Sequence, residues 1–193
     1  MSRIITEKND LVPKLLDLFC LYSIDGLTIS TISEATGLGK GSIYYFFPMG
    51  KLDILEFLIK KTEIYFHTRI DSFIEKKDQI EKSLEEFFEF VETDKEFKIF
   101  FHFVSVMALS RFQKVYLKNL RSMNKELTTK MAILVHKKNS SNRKSWELAQ
   151  NMIGTIYGSL LILIITGDKK IFSENIRNLK KNVFIQLKLR IIK

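Results

Sequence analysis

Residues 28–55 read TISTISEATGLGKGSIYYFFPMGKLDIL. Thr28 places a side-chain oxygen ahead of a short apolar periodicity, the position of a helix N-cap. Behind it, Ile29, Ile32 and Ala35 fall on one helical face, and Thr36-Gly37 ends that helix. A second short helix carries Lys40 to Phe46, and Pro48-Met49-Gly50 is a turn. Two short helices joined by a tight, glycine-containing turn form a helix-turn-helix. Ile32, Ala35 and Phe47 are expected in its core.

Helical periodicity continues on both sides. Leu11, Leu15, Leu18, Phe19 and Tyr22 line one face of a preceding helix, and Asp25-Gly26 breaks it, with Gly26 placed for a left-handed C-cap. From Lys51 the pattern is long: Leu52, Leu55, Leu58, Ile59, Phe66, Ile70 and Phe73 predict one helix of about six turns. Leu52 and Leu55 should pack it against the short helices. Further helices are expected over 79–91, 95–110 (capped by Thr93-Asp94), 112–136, 144–166 and 171–191. A polar, basic loop covers 137–144, and Gly167-Asp168 joins the last two helices. The expected fold is all-α, with a helix-turn-helix domain over 1–50 and a larger helical domain over 51–193.

Composition agrees. A chain of 193 residues buries a core without disulfide or metal staples. Only 2 prolines and 8 glycines leave few turn residues for a β-sandwich or barrel. The single cysteine, Cys20, has no internal partner, so a reducing, cytoplasmic setting is expected. It is expected as a small buried side chain. Met1 to Asp10 is polar and mixed in charge, unlike a targeting segment. The most apolar stretch, Met152 to Thr166, is shorter than the roughly 20 residues of a membrane span, so a buried helix and no membrane partner are expected. The net charge of +9 is unevenly placed: −2 over 1–58, −4 over 59–94 and +15 over 95–193. Basicity therefore does not by itself mark a nucleic-acid surface near the N-terminus.

The 28–55 stretch resembles the N-terminal signature of tetracycline-repressor-like (TetR) transcriptional regulators. The residues that carry the likeness are Thr28, Ile32, Thr36-Gly37-Leu38, Lys40, Gly41, Ile43, Tyr44, Tyr45, Phe47 and Lys51. It covers about 30 residues closely; the rest of the chain is similar only in length and helical pattern. Three positions depart from the family: Gly39 stands where Ser is usual, Phe46 where His is usual and Ser33 where Ala is usual. Gly39 removes the side-chain cap of the second helix, a loss of a few tenths of a kcal/mol.

The chemistry of the motif points the same way. A recognition helix enters the major groove with small or polar residues at its N-terminal end. Gly41 has no side chain to hold the backbone away from base edges. Lys40 and Ser42 beside it are donors, and lysine reads guanine O6 and N7. Tyr44 and Tyr45 carry hydroxyls that reach phosphates, although Tyr44 also has the spacing of a core residue. Thr28 aligns backbone N–H groups and the positive end of a helix dipole on a phosphate. Lys51 opens the next helix and can contact the flanking backbone.

The resemblance implies a homodimer on a palindromic double-stranded operator, with a small-molecule effector bound by the C-terminal domain. Phe97, Phe101, His102 and Met107 are the candidate pocket wall, since ligand sites are mostly apolar with a few polar groups; plain core packing is the alternative. Gly154-x-x-x-Gly158 makes a groove for close helix approach. With Tyr157, Leu161, Val183 and Phe184 it is the candidate dimer interface, packing within the chain being the alternative. His67 and His136 have no ligand partners at metal spacing, so no metal or cofactor is expected. No nucleophile–histidine pair, carboxylate pair or phosphate loop points to an enzyme. The principal reading is a repressor released from its operator by an apolar or amphipathic effector. The other is an effector-independent DNA-binding or protein-interaction adaptor of the same fold.

Overall fold

The structure, a computed structural model, describes residues 7–76, 79–110, 113–136 and 141–189. All regular structure among them is helical. A 3₁₀ turn at Lys8–Leu11 leads into α1 (Val12–Gly26), α2 (Ile29–Thr36), α3 (Lys40–Phe46), α4 (Lys51–Ile74), α5 (Ile80–Thr93), α6 (Lys95–Leu109), α7 (Gln113–Leu134), α8 (Asn142–Thr166) and α9 (Lys169–Leu187). The expected elements are present, with ends moved by a few residues to where local caps sit. The Asp94 carboxylate accepts from Phe97 N at 2.7 Å. Asp168 accepts from Lys170 N and Ile171 N at 2.8 and 3.2 Å, starting α9 earlier than its apolar pattern suggested. Residues 137–140 of the expected 137–144 loop lie outside the described residues. Helix α8 already starts at Asn142, capped by Ser141, and α9 ends at Leu187 before a left-handed Lys188, short of the expected 191.

Three local expectations are overturned. The left-handed residue that breaks α1 is Ser23 (φ 54, ψ 175), and Gly26 does not have a positive φ. The kink at Ser23 turns Ile24 and Leu27 into the core, where they are 0% and 1% exposed. Their burial offsets a backbone strain of roughly 1–3 kcal/mol. Ala35 is exposed. Helix α2 has only eight residues, and its inner face is filled by Ile32 and Thr36; the Ala35 carbonyl accepts from Lys14 Nζ instead. Leu52 is also exposed; Ile54, Leu55 and Leu58 are the buried residues of that end of α4, and Phe57 meets Phe47 at 5.6 Å.

Helices α1–α3 close around Leu15, Phe19, Ile24, Leu27, Ile32, Ile43 and Phe47. Helix α4 then carries the chain into the larger part, where Phe66, Ile70 and Phe73 are buried. Helix α7 lies along α4 in the same direction. Tyr116 donates its hydroxyl to the Leu52 carbonyl, His67 Nδ1 meets Glu126 at 3.2 Å, and Lys130 pairs with Asp71 at 2.6 Å. Helices α8 and α9 form an antiparallel hairpin through Gly167, which has φ +68.

A second bridge joins the two parts. Phe19 of α1 packs edge-on against Phe103 of α6 at 6.0 Å, and Cys20 Sγ sits 3.9 Å from the Ile99 carbonyl. Cys20 is half-buried, not fully buried as expected, and burial and the Asp17 carboxylate push its thiol up to about 12, which disfavours the reactive thiolate. Helix α8 has the length and composition to cross a membrane. Its inner face (Leu148, Ala149, Met152, Ile156, Leu160) nevertheless packs within the protein.

Candidate nucleic-acid interface

The turn between α2 and α3 is held by the residues that make it short. Gly37 takes the left-handed conformation (φ +75) and donates to the Ser33 carbonyl at 2.9 Å. Ser33, the departure from alanine, donates its hydroxyl to the Leu38 carbonyl at 2.6 Å. Thr36 donates to the Ile32 carbonyl at 2.7 Å, and its hydroxyl oxygen accepts from Leu38 N at 3.3 Å. Ser33 thus satisfies a turn carbonyl that would otherwise need water.

Helix α3 is anchored by few side chains and exposes the rest. Ile43 is 1% exposed and Phe47, just past its end, is 1% exposed, whereas Lys40, Gly41 and Ser42 face solvent. Tyr45 is 82% exposed, its ring edge-on to Phe46 at 5.6 Å. Tyr44 is 48% exposed. One ring edge lies over Gly50, where an added Cβ would meet it at 3.4 Å, while the rest of the ring is open to solvent.

Thr28 caps α2 as expected, accepting from Thr31 N at 3.1 Å. The Thr31 hydroxyl sits 2.9 Å from that of Thr28 and completes the cap. Apolar periodicity gives no hint of it, and the T-x-x-T spacing is its only signal in the sequence. Lys51 turns inward: Nζ donates to the carbonyls of Ile24 and Leu27 at 2.7 and 3.0 Å. These carbonyls follow the kink at Ser23, so the ammonium serves the C-terminal end of α1.

The candidate pocket residues separate. Phe97 and Phe101 line an apolar void of about 30 Å³ with Phe66, Ile70, Phe90 and Tyr157. His102 and Met107 do not line it: Met107 is fully buried elsewhere, and His102 is half-buried with its basicity lowered by desolvation. The rings fill the space themselves. Phe97 meets Phe66 at 5.7 Å and Phe90 at 5.1 Å, and Phe101 stacks on Tyr157 at 4.3 Å. That last pair is a partition. On its outer side lies an apolar groove of about 400 Å³ bounded by Val104, Leu120, Met123, Gly158 and Leu161. Burial pushes the Tyr157 hydroxyl up to about 12.

The candidate dimer residues separate as well. Gly154, Gly158 and Leu161 are exposed on α8, and nothing lies within 4 Å of a Cβ placed at either glycine. Val183 and Phe184 are 1% and 0% exposed, packed inside the protomer, and Tyr157 is turned onto Phe101. Their helical spacing marks an apolar face without saying which neighbour it meets. Further apolar groups that face outward are Ile162, Ile164 and Ile165 of α8 and Ile171 and Ile185 of α9.

No family model matches the sequence, and no curated protein matches it by sequence. Solved structures match the fold along nearly the whole chain. A TetR-family transcriptional regulator from Agrobacterium tumefaciens superposes with a TM-score of 0.71 at 15% identity, over 90% of this chain and 95% of that one. A TetR-like regulator from a Rhodococcus species gives 0.68 at 14% identity, over 98% and 100%. The fatty acid degradation regulator FadR from Bacillus halodurans gives 0.69 at 14% identity, over 98% and 100%. The chain therefore has the fold of TetR-type regulators, as the motif in 28–55 implied.

Proposed function

We propose that this chain is a DNA-binding transcriptional regulator in which residues 1–50 read duplex DNA and residues 51–193 dimerise and take an effector. The observation that carries this reading is α3: a helix held by Ile43 and Phe47 that offers Lys40, Gly41, Ser42, Tyr44 and Tyr45 outward. Lys40 and Ser42 read base edges beside Gly41, where the backbone can come close. Tyr44, Tyr45 and the N-terminus of α2 at Thr28 bind phosphates and set the register. Lys51 acts indirectly, by holding the C-terminal end of α1 against α4.

A homodimer places two α3 helices on successive major grooves, about 34–36 Å apart or a multiple of that. The exposed face of Gly154, Gly158, Leu161, Ile162 and Ile165 on α8 is the surface for it. A Cβ at Gly158 meets no neighbour within the protomer, so a leucine there should leave the fold intact and block close approach of a second copy. Sedimentation should then show a folded monomer with weakened operator binding. A Gly158→Leu dimer of normal affinity would move the interface to another face.

The effector in this reading is apolar or amphipathic, and anionic in keeping with the +15 charge of 95–193. One structural neighbour is a regulator of fatty acid degradation. Parting Phe101 from Tyr157 joins the inner void to the outer groove and gives the few hundred Å³ that a ligand needs. An effector shifts DNA affinity only by binding one arrangement of α4 and α6 better than the other. The smallness of the closed void favours a second reading, a regulator that needs no effector.

Selection of duplexes from a random pool tests the DNA-binding reading. The expected result is an enriched inverted repeat whose discrimination falls in Lys40→Ala. Failure to enrich any sequence overturns it. Operator affinity measured with and without a bound long-chain carboxylate separates the two effector readings.

A further inference from the structure

Helix α7 carries a row of cations that the fold does not use. Lys114, Lys118, Arg121 and Lys125 recur at intervals of four, three and four residues, which places them on one line along a helix. All four are exposed. The buried apolar residues of α7 (Tyr116, Met123, Leu127, Met131 and Leu134) lie on the opposite face, and buried Thr128 closes the row one turn beyond Lys125. None of the four cations pairs with a carboxylate among the described residues. Glu126 is the sole acidic residue on α7, and it is engaged by His67 of α4.

Local rules argue against this arrangement. Lys114 stands in the first turn of α7, where a positive charge opposes the helix dipole, and no acidic residue accompanies it there. Neighbouring like charges along the row add repulsion. A stripe that weakens its own helix fits an external anion.

The row also begins at the end of the body nearest the reading helix. Tyr116, two residues beyond Lys114, bonds to the carbonyl of Leu52 in the first turn of α4. The start of α4 is tied in turn to the loop that follows α3, through Asp53 and Met49 N at 2.6 Å. The N-terminal fifty-eight residues, meanwhile, have a net charge of −2 and lack the electrostatic attraction a duplex reader needs.

We propose that the α7 stripe, led by Lys114 and Lys118, binds the phosphate backbone of duplex flanking the site read by α3. This rests on the DNA-binding reading above. It makes the helical body part of the DNA interface and assigns it the nonspecific electrostatic share of affinity. Arg121 and Lys125, farther along α7 from the reading helix, contribute less.

The test is the salt dependence of binding to two mixed-sequence duplexes, one long and one trimmed to about 20 base pairs, two helical turns. Each phosphate contact contributes about 0.9 to the slope of log affinity against log salt. On the long duplex, Lys114→Gln/Lys118→Gln removes these contacts from both protomers and should therefore lower the steepness by about 3.6. Between about 50 and 200 mM salt, the wild-type dimer then loses roughly a hundredfold more affinity than the variant. On the trimmed duplex the two slopes should agree. Lys118→Gln alone should show about half the change and serves if the double variant does not fold. Arg121→Gln/Lys125→Gln should show a smaller change than the first pair.

Equal slopes on the long duplex overturn the proposal, as does the same loss on both duplexes. An effect from Arg121 and Lys125 as large as that from Lys114 and Lys118 also overturns it. Binding to phosphatidylglycerol-containing vesicles that disappears in the double variant, with DNA slopes unchanged, assigns the stripe to a lipid surface instead. A wild type that binds no duplex at any salt rejects the DNA-binding reading itself, a result distinct from all of these.

Discussion

The helix-turn-helix unit and the helical body meet opposite demands with similar helices. In residues 28–50 most side chains act on their own neighbours. Thr28 and Thr31 cap α2, Ser33 and Thr36 stitch the turn, and Gly37 and Gly50 adopt positive φ. Only Ile32, Ile43 and Phe47 hold that segment to the core as large buried side chains. In the body the emphasis reverses. Long helices depend on aromatic and aliphatic contacts between residues far apart in sequence, such as Phe101 on Tyr157 and Phe66 on Phe97. A surface proposed to read DNA must hold a fixed shape on a small scaffold, so its geometry is specified locally. A body proposed to transmit a change can rely on packing that has more than one arrangement.

Substitutions can break this contrast or sharpen it. The largest effect is expected at Phe47, which is buried with its ring 5.6 Å from that of Phe57. Phe47→Ala should destabilise the protein by about 3–5 kcal/mol in denaturant unfolding, because the cavity lies where the reading unit meets α4. A loss confined to α1–α3, with the body still folded at the same midpoint, would show two independent units instead of one continuous core.

Next is Lys40→Ala, expected to cost about 1–3 kcal/mol on the preferred duplex and to relax choice at one base pair. Tyr45→Phe should weaken all duplexes alike. Equal losses for Lys40→Ala on preferred and random duplex would remove the base-reading role. Gly37→Ala should cost roughly 1 kcal/mol, since a Cβ at φ +75 is strained although the space around it is open. A neutral Gly37→Ala would mean that the turn can relax, contrary to a locally specified reading unit.

The smallest effect belongs to the body. Desolvation lowers the basicity of His102, so the folded protein resists protonating it. Below its ordinary value near 6.5 the unfolded chain binds the proton more readily, and stability is lost as pH falls through that region. His102→Gln should flatten that dependence, and an NMR titration of His102 should show a midpoint below 6.5. A midpoint above it would mean that an acidic partner, not burial, dominates the site.

Much of this molecule was legible in the sequence alone. The helix-turn-helix, its caps at Thr28 and Gly37, the exposed row on α3 and the succession of helices all follow from spacings within about ten residues. There the physics is local: a side-chain oxygen or a glycine acts on its own neighbours. Tertiary structure decided the rest. It placed the left-handed break at Ser23 because burying Ile24 and Leu27 outweighs the comfort of Gly26. It drew Lys51 onto the carbonyls of Ile24 and Leu27, and it separated Val183 and Phe184, buried, from Gly158 and Ile165, exposed. It also set α1 against α6 and Phe101 against Tyr157. An apolar helical face declares that it will be covered, but the energy of covering it is nearly the same for any well-fitting neighbour. Which neighbour arrives is settled only when all the faces are packed together.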